Sequence, residues 1–498
     1  MNLKKQICEF IYNPKKIMLL SLTLSIVFIT IYCLWRLDIY RDVANCYAHM
    51  AREFGRGNWN EAFRSDLPPM NIVLAGLLAM IGVEAYTATI MISGIFYILT
   101  IFPLYALLKR FLKPHEAAWG VLFFVLAPKI IRFSGTGLLE SGRNFFLILA
   151  LLFMFKGLDT KKWTNWVCLG VAFAGLSLSR GEGFAVMLAL AGITGVLLWR
   201  DQKYLLGFNA IQRIVYPLLL TIIVTLTILS PRLYQNYRAT GYPIVDSRMV
   251  SSIKATFEQN PNVSTSAPRK NIDVKKKTLL KRVGIVIGDF SRGAYEIYLV
   301  LAGLGLILVL YRKTWRYEYT VFFIIIAIHL LIYFKVGSSY RYHTFALPLL
   351  MPFTIFAVVQ LFQWTKRYRL EKILFVGLIA LFAGQVVNGL EVAFTKKDLH
   401  KKQLAIWINA NRELFTDAKH SGELRIIAWK LPEVSFWADQ FSVASYGTSI
   451  DLKREVDFDL IVVDSGDTSA LEIIQSRDDV AIVPQSCTEK IVIFRKKL

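Results

Sequence analysis

Two carboxylates and a group of arginines stand at the ends of apolar segments, where acid/base and anion chemistry could meet. Asp42 lies in RLDIYRDVANCYAHMAREF and heads a stretch in which Val43, Cys46, Tyr47, Met50, Ala51 and Phe54 recur at helical spacing. A carboxylate at that point is favoured by the helix dipole and can accept backbone N–H bonds. It is also where a general base would serve a substrate arriving at a membrane entrance. The plain alternative is that Asp42 is only an N-cap. Glu140 lies in IRFSGTGLLESGRNFF between Leu138, Leu139, Phe145 and Phe146. An ionisable residue in such surroundings is costly unless paired, which makes it a functional candidate. Its plain alternative is an i,i+3 pair with Arg143, worth about 0.2–0.5 kcal/mol. Should Asp42 and Glu140 face one cavity, their mutual repulsion would draw in a proton or a divalent cation.

The cations come in three short groups. Arg180 and Glu182 occur in LSRGEGF, Arg232 and Arg238 in SPRLYQNYRATGYP, and Lys335 and Arg341 in FKVGSSYRYHTFALP. Guanidinium groups grip phosphate through two parallel charge-assisted hydrogen bonds, so arginines at a membrane rim suit a lipid phosphate. The alternative is interfacial anchoring, with Tyr234, Tyr237, Tyr340 and Tyr342 as an aromatic belt. Arg180, Glu182, Arg232, Arg238, Arg341 and Tyr342 are therefore the candidate substrate- and phosphate-binding residues, beside the catalytic candidates Asp42 and Glu140.

These residues must be positioned by membrane helices. The chain has 498 residues, of which 55% are hydrophobic and 19% charged, with a net charge of +22. A mean hydropathy of +0.45 excludes both a disordered chain and an ordinary water-soluble globule. Twelve apolar runs are long enough to matter, at about 17–36, 70–84, 87–108, 116–131, 144–157, 164–179, 184–199, 211–230, 295–311, 318–334, 343–364 and 373–392. Their length and lack of alternation make them helices and not barrel strands. Short basic loops around Lys109, Lys156, Arg200, Arg312 and Lys366 all fall on one side if 70–108 makes one net crossing. Loops 37–69, 132–143, 180–183, 231–294 and 335–342, and the tail after 393, then lie together on the other, extracytoplasmic side. The basic stretch around Lys275–Lys277 would rest on anionic headgroups or fold over the cavity. Residues 43–54 are expected to lie as an amphipathic helix on the membrane surface.

The tail has soluble character. A helix-like stretch at 399–415 precedes β-branched runs at 424–429, 458–464, 480–486 and 490–496, which together predict a small α/β domain. It holds no glycine-rich phosphate loop, and no nucleic-acid partner is expected. The five cysteines show no paired spacing, and the six histidines form no metal-ligand motif. No metal site is expected from these motifs, and a divalent cation at the carboxylates is the one cofactor candidate.

Arg41-Asp42, Tyr47, Ala51, Gly57, Trp59 and Pro68-Pro69 resemble the first-loop signature of polyprenyl-phosphate-sugar-dependent glycosyltransferases of the GT-C superfamily. The likeness is to glycosyltransferase family 39, the protein O-mannosyltransferase and aminoarabinose transferase group. FPLYALLKRFL at 102–112, LLES at 138–141, LSRGEG at 178–183, NYRATG at 236–241 and SYRYHTFALP at 339–348 extend it over about 30–350. The resemblance implies a polytopic GT-C-like membrane domain over 1–394, of about 11–13 transmembrane helices, and a soluble extracytoplasmic α/β domain over 395–498. It implies an integral protein of a bacterial inner or plasma membrane that moves one sugar, with inversion, from a polyprenyl-phosphate carrier to a lipid, glycan or protein acceptor. Asp42 would match the family's first-loop catalytic acid and Glu140 the acidic residue of a later loop. Two departures bear on phosphate binding by that loop and on metal dependence. Leu67 stands where relatives carry a lysine before the double proline, and Val43 replaces the second acid after Asp42. Rival readings are a lipid-linked glycan transporter or flippase, and a glycan polymerase or ligase that would move a whole oligosaccharide.

Overall fold

The computed structural model describes residues 12–36, 39–40, 42–63, 67–202, 208–246, 279–394, 399–410, 426–428, 434, 460–465, 467–475, 480–483 and 491–496. Arg41 and the basic stretch around Lys275–Lys277 lie outside them. The chain divides into two compact units. One holds Met1–Leu34, Ala51–Glu258 and Thr278–Val392, and the other Trp35–Met50, Gln259–Lys277 and Ala393–Leu498.

The first unit is helical throughout its described residues. Its long helices are α1 (Pro14–Trp35), α5 (Ala85–Leu108), α8 (Glu140–Thr160), α9 (Trp163–Ser179), α10 (Gly181–Gln202), α11 (Phe208–Thr240), α14 (Tyr317–Val336), α15 (Ala346–Arg367) and α16 (Glu371–Phe394). Between them come α2 (Ala48–Gly55), α3 (Trp59–Ala62), α4 (Met70–Met80), α6 (Pro114–Val125), α7 (Pro128–Gly135), α12 (Leu279–Ala294) and α13 (Glu296–Tyr311). Among the described residues eight helices are long and apolar enough to cross a membrane, or up to ten if each of two bent pairs is one span. This is the polytopic architecture that the apolar runs lead one to expect.

The uncertain stretch 70–108 resolves into an 11-residue helix, α4, and the 24-residue α5. At 1.5 Å per residue α4 reaches only about 16 Å, half of a hydrocarbon core, so α5 supplies the crossing. The run expected as one helix over 116–131 is broken into α6 and α7, bent by 56°. Pro128 opens α7 at a position where its missing N–H costs nothing. The carbonyls orphaned by the break are satisfied from neighbouring helices: Tyr298 donates its hydroxyl to Phe123 O at 2.8 Å and Tyr97 to Val125 O at 2.7 Å. A second corner, of 94°, joins α12 to α13, with Tyr295 at φ +64° in the left-handed region.

Residues 43–54 form a π-helical turn, Val43–Tyr47, followed by α2. Their apolar side chains Val43, Ala44, Met50, Ala51 and Phe54 are buried in the protein. The amphipathic face expected to meet lipid is thus covered by protein: Phe54, for instance, packs on Gly76 of α4.

Gly305 of α13 meets α15 so closely that a Cβ there would fall on the carbonyl of Phe353, which is backbone and cannot turn aside. Gly305→Ala is expected to cost about 1–3 kcal/mol through overpacking. Gly303→Ala, with open space around the site, should be neutral or slightly stabilising. Thermal unfolding in detergent distinguishes them, and equal melting temperatures would show that the two helices do not touch there.

In the second unit, α17 (Leu399–Ala410) precedes β1 (Ile426–Ala428), β2 (Leu460–Asp464), α18 (Thr468–Gln475), β3 (Val480–Ile482) and β4 (Ile491–Lys496). The sheet order is β1-β2-β4-β3, with β1 parallel to β2 and the other pairs antiparallel. Leu404, Ala405 and Ile408 of α17 bury one face of the sheet with Val434, Leu460, Val462 and Ile493. The tail is therefore α/β, as its β-branched runs predict.

Candidate active site

Three breaks between helices meet at one end of the first unit. Arg180 is a single extended residue, φ −156° and ψ 146°, between α9 and α10. The glycines of LSRGEG make that abrupt reversal possible. A Cβ at Gly181 would collide with the Asp246 carboxylate and one at Gly183 with Leu176 O. Glu182 and Glu140 each sit in the first turn of their helices, α10 and α8, where the dipole favours a negative charge. The third break is the 3-10 turn Tyr340–Phe345 ahead of α15, which carries Arg341 and Tyr342.

These elements bring Glu140, Arg143, Arg180, Glu182, Arg341 and Tyr342 into one network. Arg180 donates Nη1 to Glu140 Oε1 at 2.7 Å and Nε to Glu182 Oε1. Arg341 Nε lies 3.9 Å from the same Glu140 oxygen. Both guanidinium groups stand over the Tyr342 ring, 4.6 and 4.9 Å from its centre, and Arg341 Nη2 donates to the Tyr342 hydroxyl at 3.1 Å. Glu140 is 2% exposed, and its Oε2 has no hydrogen-bond partner. A buried carboxylate oxygen in that state invites a ligand hydroxyl or a water.

The i,i+3 pair of Glu140 with Arg143 does not form. Arg143 instead donates Nη1 to Glu182 Oε1 at 3.3 Å and to Tyr342 O at 2.8 Å, and Nη2 to Thr344 Oγ1 at 3.0 Å. Its side chain is 3% exposed, against 11% for Arg180 and 14% for Arg341. Arg143 is thus a buried tie, whereas Arg180 and Arg341 reach the open side of the network.

Two arginines expected to bind phosphate stand outside this network. Arg232, at 4% exposure, donates Nε to Val245 O, Nη1 to Gln235 Oε1 and Nη2 to Leu67 O, at 3.2, 2.9 and 2.6 Å. Those bonds tie α11 to the entry of α4 and to the irregular segment that carries Asp246 beside Gly181, so Arg232 supports the site from behind. Arg238 is exposed on the outer face of α11 with Tyr234 and Tyr237, and among the described residues it makes none of the network's contacts. Its position fits interfacial anchoring. Lys335 is likewise exposed.

Asp42 belongs to the second unit and is half-buried at the head of the Val43–Tyr47 turn. Its backbone is helical and its side chain makes no capping hydrogen bond, so the N-cap alternative is not what the structure shows. Among the described residues no group of three or more His, Cys, Asp and Glu gathers as a metal site, and Cys33 and Cys168 are free thiols.

Sequence reasoning missed Asp246, His329, Tyr333 and His343. His329 and Tyr333 lie on α14, and Tyr333 stacks on Tyr342 at 4.8 Å and 18°. The available signal was a lone histidine inside the apolar run VFFIIIAIHLLIYF, because an ionisable group at such depth is expensive.

A sequence profile of the family described as dolichyl-phosphate-mannose-protein mannosyltransferase matches residues 66–234. Among solved structures, ArnT from Cupriavidus metallidurans bound to undecaprenyl phosphate aligns over 96% of this chain and 97% of its own, at 13% identity and a TM-score of 0.63. The apo Archaeoglobus fulgidus oligosaccharyltransferase aligns over 89% of this chain and 69% of its own, at 13% identity and a TM-score of 0.51. No curated protein sequence matches. The chain thus shares the fold of the ArnT structure, and residues 66–234 resemble the mannosyltransferase family, in agreement with the resemblance carried by its short motifs.

Proposed function

We propose that this protein is an integral membrane glycosyltransferase that takes a single sugar from a polyprenyl-phosphate carrier and passes it, with inversion, to an extracytoplasmic lipid, glycan or protein acceptor. The observation that carries the reading is the pairing of buried Glu140 with two guanidinium groups that stay partly accessible, Arg180 and Arg341, both over the Tyr342 ring. The ArnT structure of like fold holds undecaprenyl phosphate, a ligand of the same chemistry.

In the reaction the acceptor hydroxyl oxygen forms a bond to the anomeric carbon as the bond from that carbon to the phosphate oxygen breaks. The electron pair leaves with the phosphate, which turns from a diester into a monoester and gains charge. Arg341 and Arg180 are fixed cations for that charge and stabilise the transition state more than the ground state. Tyr342 holds both guanidinium planes. The resemblance of the first loop assigns the role of general base for the acceptor proton to Asp42. Glu140 fixes the arginines with Oε1 and offers Oε2 to a substrate hydroxyl.

The test is transfer in proteoliposomes loaded with a polyprenyl-phosphate sugar and an envelope extract as acceptor. One sugar and one carrier phosphate are expected per event. Arg341→Ala should lower kcat/KM by about 10²–10³-fold, the effect of removing one donor to developing charge. Movement of the intact carrier lipid without cleavage would establish the transporter reading, and transfer of an oligosaccharide the polymerase or ligase one.

A further inference from the structure

His329 takes no part in the chemistry above, yet it is 1% exposed and points at the turn that carries Arg341 and Tyr342. Its Nε2 lies 3.0 Å from the carbonyl oxygen of Tyr342. A carbonyl can only accept, so Nε2 must carry the proton. The same carbonyl accepts from Arg143 Nη1 at 2.8 Å, which fills both of its lone pairs. The imidazole also packs against the ring of Phe345, 3.6 Å between centres, and against Tyr333, 4.6 Å. One peptide group, that of Tyr342, is therefore held from two helices, α8 through Arg143 and α14 through His329. Its own side chain and that of the preceding Arg341 face the accessible part of the network.

We propose that His329 is a positioning residue: as the Nε2–H imidazole it clamps the Tyr342 carbonyl and so fixes the Tyr342 side chain and, through its ring and hydroxyl, the direction in which Arg341 meets the donor phosphate. The link to the phosphate rests on the function proposed above; the clamp itself does not. A hydrogen bond that sets the Tyr342 carbonyl determines the plane of the Tyr342–His343 peptide and with it the direction of the Tyr342 side chain, whose hydroxyl accepts from Arg341 Nη2 at 3.1 Å. A group misplaced by about 1 Å loses on the order of 10²-fold in rate, which is the scale on which such a clamp acts.

Three substitutions separate the clamp from simple packing. Glutamine can place its amide nitrogen where the imidazole Nε2 stands, asparagine is one methylene too short, and phenylalanine keeps the ring while losing the donor. Two readouts are taken on the full-length protein in detergent. Hydrogen–deuterium exchange of the peptide covering 340–345 reports the clamp without reference to activity. Thermal stabilisation by undecaprenyl phosphate reports what the clamp does for the ligand. We expect His329→Asn and His329→Phe to speed exchange of that turn at least about tenfold and to weaken the lipid-phosphate effect, and His329→Gln to restore both in large part. A turn that exchanges slowly in His329→Phe and fast in His329→Gln would overturn the proposal, because ring packing would then be the whole role of the residue. So would equal exchange in all three variants. If exchange follows the expected order while undecaprenyl phosphate stabilises neither wild type nor variants, the clamp stands and the proposed donor is wrong.

Discussion

Asp42→Asn is expected to lose about 10²–10⁴-fold in transfer rate while donor binding stays near that of the wild type. The replacement keeps the shape of the side chain and one acceptor oxygen but has no basicity, so the loss falls on removal of the acceptor proton. The structure sharpens the interpretation. Asp42 makes no capping hydrogen bond to the Val43–Tyr47 turn, so helix capping does not account for the residue. Asp42→Glu, which keeps the base on a longer arm, should recover part of the rate. In cells the Asp42→Asn variant should lack one sugar on one envelope glycan and accumulate the sugar-loaded monophosphate carrier. A normally expressed variant with unchanged glycans and carrier pools would remove Asp42 from the role of base.

Glu182→Ala is expected to destabilise the fold by about 3–5 kcal/mol, the range for leaving a buried charge without its partner. Glu182 bonds to both Arg143 and Arg180, and its side chain is 11% exposed against 3% for Arg143. Removing it leaves the buried Arg143 guanidinium without its carboxylate. Glu182→Gln keeps an acceptor oxygen and should cost less. Replacing the pair together, Arg143→Met with Glu182→Leu, should recover part of the loss, since a buried ion pair is stabilised little relative to apolar residues of like volume. Thermal unfolding of the purified variants in one detergent provides the comparison. Wild-type stability in Glu182→Ala would mean that the network is not what holds α8, α10 and the 340–345 turn together.

The two experiments probe residues of different legibility. Asp42 and Glu140 could be picked out because a carboxylate next to long apolar runs has few inexpensive explanations. Arg180 and Glu182 were visible as charges in a short break between two apolar runs, and the structure gives the glycines beside them a steric reason at Gly181 and Gly183. Arg143 was visible only as a neighbour of Glu140 at i,i+3. Helical spacing allowed that pair, and tertiary packing overrode it with one to Glu182, 39 residues away. Arg232 and Arg238 looked equivalent on one segment. Six residues of helix turn them to different faces, one buried among carbonyls and the other outward with two exposed tyrosines. The break at Pro128 was not read from the sequence, which took 116–131 as one run, and the hydroxyls that satisfy its carbonyls come from Tyr97 and Tyr298 on other helices.

By itself the sequence determined that this is a chain of membrane helices with a small α/β tail, and that its cations and carboxylates sit where helices end. Those properties follow from hydration: apolar runs of that length cannot remain in water, and charges cannot remain in mid-bilayer, so both are written locally. Tertiary structure alone decided which charges face each other. Glu140 meets Arg180 and Arg341 across 40 and 201 positions, and His329 meets the Tyr342 carbonyl from a separate helix. Such pairs depend on the rotation and depth of each helix against its neighbours, which side-chain packing sets and residue spacing along one segment does not.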